Sequence, residues 1–172
     1  SDSITVLVDK PWIAIDSNKT SPYRDNVYAC WTQFNKDANG ITKNSSLVFQ
    51  RILPTPLPQK VLYNAPFTFG SQIGCNLAIG TNGEVYVPWF NYELGGPYNA
   101  TLQFRWNDRG GEDWGWGRIQ NVTSFRRFVN AQNCPGATKD CIIGSTNPNT
   151  YFRIGFMPGI AVDMLGGIHL VY

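Results

Sequence analysis

The residues with chemistry to offer are few. Cys30, Cys75, Cys134 and Cys141 lack the close Cys-x-x-Cys pairs of a zinc site, and the single histidine, His169, lies far from them in the chain. Disulfides suit them better, and neither a metal nor a cofactor is expected. Cys134 and Cys141 bracket a loop short enough to be stapled, which leaves Cys30 and Cys75 to tie one part of the chain to another. Four cysteines allow three connectivities. Asn-x-Ser/Thr sequons stand at Asn18, Asn44, Asn99 and Asn121. Together with the cysteines they fit an oxidising secretory route with glycans over the loops, so the protein is expected to be secreted.

A second group sits in Asn107-Asp-Arg-Gly-Gly-Glu-Asp-Trp114. Asp108 followed by Gly110 and Gly111 suits a tight turn whose carboxylate accepts backbone N–H groups, with Trp114 packing beneath. Glu112 and Asp113 are adjacent carboxylates, but solvation in a turn explains them without acid/base catalysis. Trp106, Trp114 and Trp116 offer either a platform for sugar rings or packing between sheets. His169, between Ile168 and Leu170, reads as a surface or packing residue rather than a general base.

The elements that must position these residues are β-hairpins. Asn76 to Phe90 reads as an apolar strand, a Thr-Asn-Gly turn and a strand alternating Val85, Val87 and Trp89 on one face. The same pattern occurs near the start, in Trp12 to Asp16 followed by Asn26 to Thr32. It returns at the end, in Gly159 to Asp163 followed by Ile168 to Tyr172. Aligning Ile13, Leu77 and Ile160 superposes the three, a long-period repeat of the kind found in propellers and arrays. Further strands are expected at Ile4 to Val8, Ser46 to Ile52, Lys60 to Tyr63, Thr101 to Trp106, Trp116 to Val122 and Tyr151 to Phe156. Leu53-Pro-Thr-Pro-Leu-Pro58 breaks the ladder, because proline has no N–H to donate.

This reading divides one domain, residues 1–172, into four parts. Repeats cover about 1–66 and 67–123, a basic, Asn-rich insertion covers 124–149, and a third repeat begins at 150–172. Aromatic residues make up 14% and charged residues 15%, with 17 glycines and 11 prolines, which favours a turn-rich all-β chain over a helical one. The net charge of +2 is interspersed, with no basic block resembling a nucleic-acid footprint, so no such partner is expected. No apolar run approaches the roughly 20 residues of a membrane span. The opening Ser1-Asp2-Ser3, with neither an initiator Met nor a signal peptide, reads as a processed or truncated chain.

The turn at 107–114 resembles the Asp box of the sialidase-like (BNR repeat) β-propellers, usually written Ser-x-Asp-x-Gly-x-Thr-Trp. Asp108, Gly110 and Trp114 match in kind. Trp106 stands in the Ser place, Glu112 in the Thr place, and Asp113 is an extra residue. The resemblance covers the chain apart from 124–149, although in the first repeat the box has decayed to Arg51-Ile-Leu-Pro-Thr-Pro. It implies a partial propeller of about two and a half four-stranded antiparallel blades, with Asp108, Gly110, Gly111 and Trp114 structural. It also implies that remaining blades of a longer chain, or other copies, close the ring.

The implied activity is that of a glycoside hydrolase of sialidase type acting on glycans or polysaccharides. In such enzymes an arginine cluster grips a sugar carboxylate through paired hydrogen bonds. Arg153, in Phe152-Arg-Ile-Gly-Phe156, is similar to the first arginine motif of that family, with Gly155 where proline is expected. The other catalytic positions are unassigned. The alternative is a non-catalytic glycan-binding, structural or adhesive glycoprotein, and a polysaccharide lyase is a weaker option. The scaffold does not choose among these.

Overall fold

The computed structural model describes residues 5–66, 70–93, 99–126, 141–144, 151–153 and 157–172. Within these the protein is all-β and antiparallel, with one turn of 3-10 helix at Asp113–Gly115. The first sheet runs in chain order through β1 (Thr5–Ile15), β2 (Val27–Lys36), β3 (Thr42–Leu53) and β4 (Lys60–Pro66). In the second, β5 (Gly70–Ile73) and β6 (Ala78–Ile79) both pair with β7 (Val85–Glu93), followed by β8 (Asn99–Asn107) and β9 (Gln120–Arg126). Two hairpins complete the strands, β10 (Cys141–Gly144) with β11 (Tyr151–Arg153) and β12 (Gly159–Val162) with β13 (Ile168–Val171).

The repeat is real at the level of backbone geometry. The two strands expected before Asp16 are one strand, β1, with an irregularity between Asp9 and Trp12. Lys10 sits there at φ 50°, and the same break separates β5 from β6 at Gly74, φ 74°. An L side chain at positive φ is strained by about 1–2 kcal/mol, and glycine escapes that strain. Lys10→Gly relieves that strain of about 1–2 kcal/mol at an entropic cost of about 0.5–1 kcal/mol and the loss of the half-buried Lys10–Asp9 pair, so a small net gain in unfolding free energy is expected. An upward shift of the urea midpoint checks this, and a downward shift refutes it.

One turn is used three times, at residues 37–41, 80–84 and 163–167. In each, the first residue's N–H donates to the fifth residue's carbonyl, and the fourth residue, Gly40, Gly83 or Gly166, donates back to the first. All three glycines have positive φ, which fits a type I turn closing on a left-handed residue. Asp37 Oδ1 accepts the N–H groups of Asn39 and Ile41, and Asp163 Oδ1 accepts those of Leu165 and Gly167. Gly80 has no side chain to do this. Glu84 reaches back from the other end instead, and its Oε2 accepts the Asn82 N–H at 3.0 Å.

The main core lies between the two large sheets. Val85, Val87 and Trp89 face it from β7, all fully buried, as the alternation predicts. Tyr28, Cys30, Leu47, Phe49 and Leu62 meet them from the first sheet. The opposite face of the second sheet is also buried: Phe90, Tyr92, Ala100 and Leu102 form a second cluster against which Leu170 of β13 packs. The strand β6 lies beside both β1 and β12, so the three hairpins stack in chain order. Apolar side chains stay open at the two extremes, among them Val6, Leu7, Val8 and Ile13 on β1 and Met164, Leu165 and Val171 of the third hairpin.

Polar contacts fix the stacking. The Thr32 hydroxyl donates to the Gln72 carbonyl, the Ser45 hydroxyl to Gln72 Oε1, and Gln72 Nε2 to Asn91 Oδ1. Gln72 is fully buried, so this seam satisfies a side chain that would otherwise oppose folding. A Cys30–Cys75 disulfide joins the sheets through the core.

Several boundaries differ from the sequence reading: β3 starts at Thr42 rather than Ser46, β4 runs on to Pro66 rather than Tyr63, and β5 is not among the expected strands. The fourth strand of the second sheet starts at Gln120, not Trp116, because the 3-10 turn at Asp113–Gly115 and a Gly117 N–H to Trp106 carbonyl bond take up the chain first. Trp116 makes only an isolated bridge to Asn107. The expected insertion, 124–149, is not wholly outside the sheets. Its first residues continue β9 to Arg126, and Cys141–Gly144 pairs with β11.

Candidate functional site

The connection from β8 to β9 presents the most open aromatic chemistry among the described residues. It is anchored by Asn107, one residue before the expected anchor. Asn107 is fully buried, its Oδ1 accepts the N–H groups of Arg109 and Gly111 at 2.8 Å, and its Nδ2 donates to the Glu112 carbonyl at 2.6 Å. An amide serves here better than a carboxylate, because it both accepts and donates. Asp108 is exposed and stands 3.9 Å from Arg109. The turn carboxylate expected at Asp108 is thus replaced by the Asn107 amide.

Gly110 and Gly111 do what the sequence suggests. Both have positive φ, with Gly111 against the first sheet and Gly110 against its first loop. A Cβ on Gly111 would stand 2.9 Å from the Phe49 ring, and one on Gly110 would meet Tyr23. Arg51 Nη1 donates to the Gly110 carbonyl at 3.4 Å, and Lys60 pairs with Asp113 at 3.0 Å. Four residues of the first sheet and its first loop therefore hold a turn that belongs to the second.

The three tryptophans part company. Trp116 turns inward, edge-on to Phe49 at 4.8 Å, with the Arg105 guanidinium 5.8 Å from its ring centre. Arg105 donates to the carbonyls of Gly117 and Leu62, and burial lowers its pKa from the usual arginine value. Trp106 is half-buried beside Phe104 and beneath Gly117. Trp114 does not pack beneath the turn as expected. It is 66% exposed, with the Arg109 guanidinium 4.1 Å over its ring. The surface presented outward is an indole steadied by a cation–π contact, among the carboxylates of Asp108, Glu112 and Asp113.

Compared with protein-family models, curated proteins and solved structures, the chain matches none of them.

A cavity of about 280 Å³ opens between the sheets, lined in part by Ala14, Asp16, Asn18, Leu77, Gly80 and Thr81. Asp16 and Asn18 in its lining are engaged. The Asp16 carboxylate, fully buried, accepts the Ser21 hydroxyl at 2.5 Å and the Asn18 N–H at 3.1 Å, and Asn18 Nδ2 donates to the Thr81 carbonyl. This is a clasp between the first loop and the second hairpin. His169 pairs with Asp163 at 2.9 Å on the surface, and that contact, with the Gly167 and Leu165 N–H groups, holds the Asp163 carboxyl below its usual range.

Of the remaining expected residues, the Cys30–Cys75 bond is present. Cys134 and the side chains of Cys141, Arg153 and Asn99 lie outside the described residues. Asn44 is half-buried on β3, and Asn121 is exposed on β9. No helix among the described residues is long and apolar enough to cross a membrane.

Proposed function

We propose that this chain is part of a secreted, sialidase-like β-propeller that binds glycans, and that the Trp114 turn is its contact surface. The propeller is supported by three hairpins stacked in chain order, with β6 between β1 and β12, and by a second sheet buried on both faces. The apolar residues left open on β1 and on the third hairpin are where neighbouring blades, from a longer chain or from other copies, continue the stack. The Cys30–Cys75 disulfide supports the oxidising route.

One observation carries glycan binding: Trp114 is held open rather than buried. An exposed indole stacks on the C–H face of a pyranose, and the carboxylates beside it accept hydroxyl protons. That combination suits a neutral hexose better than an acidic sugar, because the three carboxylates Asp108, Glu112 and Asp113 outnumber the two cations beside them, Arg109 and Lys60. Binding is the reading preferred over hydrolysis, since it rests on side chains whose positions are described and the sialidase chemistry rests on Arg153.

The test is titration of neutral and acidic oligosaccharides into the protein and its Trp114→Ala variant. A neutral glycan should bind, and Trp114→Ala should weaken it about tenfold or more, as losing an aromatic anchor does. Thermal stability should change little, because the side chain buries little surface. Equal binding by both proteins, or binding of acidic glycans alone, overturns the assignment.

A further inference from the structure

The sequons are not equivalent in the folded chain, and their differences bear on which can carry a glycan compatible with the fold. Asn18 is built into the clasp between the sheets. Its Nδ2 donates to the Thr81 carbonyl, and its Oδ1 accepts both the N–H and the hydroxyl of Thr20, the threonine of its own sequon. A sugar on that nitrogen would have to occupy the space between the first loop and the second hairpin. Asn44 is half-buried on β3, an inner strand, with Asn35 Nδ2 donating to its Oδ1 at 2.6 Å.

Asn121 differs in exposure and in its place in the sheet, although its Oδ1, like that of Asn44, accepts a side-chain amide. It is exposed and lies on β9, the last strand in the order of its sheet. Its Oδ1 accepts Gln103 Nε2 at 2.8 Å, which leaves the nitrogen directed away from that bond. The ladder is broken beside it: Gln103 pairs with Asn121 and Leu102 with Thr123, so Val122 is an extra residue, 43% exposed. A bulge on an outer strand is a usual way of interrupting an edge that would otherwise invite another strand.

We infer that Asn121 is an N-glycosylated position, that Asn18 remains unmodified in the folded protein, and that the glycan on Asn121 shields the β9 edge. The inference rests on the secretory route proposed above. In the transfer, Asn121 Nδ2 forms a bond to the anomeric carbon of a lipid-linked oligosaccharide. The bond from that carbon to the pyrophosphate oxygen breaks, its electron pair leaves with the lipid pyrophosphate, and Nδ2 gives up one proton to the transferase's base. The remaining N–H and the Oδ1 contact to Gln103 survive the change.

The full chain would be directed into the endoplasmic reticulum by an added cleavable leader, which imposes the route. The secreted protein would then be deglycosylated enzymatically in heavy-oxygen water and mapped by mass spectrometry. Heavy aspartate at 121, unconverted Asn18 and an intact Cys30–Cys75 bond are expected. Protein with that bond intact and Asn121 unlabelled overturns the assignment, and label at Asn18 in the same protein overturns the claim for the clasp. Thr123→Ala removes the acceptor without touching Asn121. Translated with microsomes and read by gel mobility, which does not require folding, it must lose one glycan step, and an unchanged mobility refutes the proposal. The unglycosylated protein should also self-associate at concentrations where the glycosylated one does not, and equal behaviour refutes the shielding role alone.

Discussion

Replacing Cys30 and Cys75 together by alanine is expected to remove about 4 kcal/mol of stability, the entropic value for a crosslink spanning 45 residues. The bond joins β2 to the segment just before β6, so without it the unfolded chain gains freedom across the boundary between the sheets. Both sulfurs are fully buried, and their loss also removes packing from the middle of the core. Against a total of about 5–15 kcal/mol for an ordinary domain, that is a large share. Guanidinium unfolding of the oxidised protein and the double variant gives the difference directly. A loss below about 1 kcal/mol would mean that core packing alone sets the sheet stacking.

Phe49→Ala is expected to cost about 3–5 kcal/mol, the range for removing a buried phenylalanine. The ring is 1% exposed, stacks on Tyr28 at 5.8 Å, receives Trp116 edge-on at 4.8 Å, and lies against the Gly111 backbone. Its removal leaves a void under the turn that carries Trp114. Glycan affinity should therefore fall with stability, although residue 49 touches no ligand. Phe49→Leu, which refills part of the void, should recover much of both. Loss of stability with unchanged affinity would show that Asn107 and Arg51 hold the turn without the ring.

The legible part of this fold is what period-two alternation and turn chemistry write locally. Val85, Val87 and Trp89 announce a buried face, and the Thr81-Asn82-Gly83 turn and its partners announce hairpins. The Cys30–Cys75 pairing was one of three possibilities, and only the stacking of two sheets selects it. The turn at 107–117 was legible as a turn but not in its details. Which of Asn107 and Asp108 faces inward depends on the register of β8, and that register is set by β7 across the sheet. Which tryptophan points outward depends on the 3-10 turn at Asp113–Gly115, which carries the Lys60–Asp113 pair and the Arg109 stack on its surface. Alternation extrapolated through such a segment assigns Trp114 and Trp116 to the same face, and the structure separates them. A usable signal was present all the same: two charged residues, Glu112 and Asp113, precede Trp114, whereas glycines stand on both sides of Trp116.

The turn at 80–84 constrains the order in which this sequence can change. At 37–41 and 163–167 the acceptor stands at the first position, and at 80–84 it reaches back from the fifth, into the space a side chain at Gly80 would occupy. The two arrangements compete for the same space. Gly80→Asp in the presence of Glu84 sets two carboxylates against each other, while the same change after Glu84→Gly reproduces the pattern of the third hairpin. The sites are therefore epistatic: Gly80→Asp is expected to cost stability while Glu84 is present, and less once Glu84 has been lost.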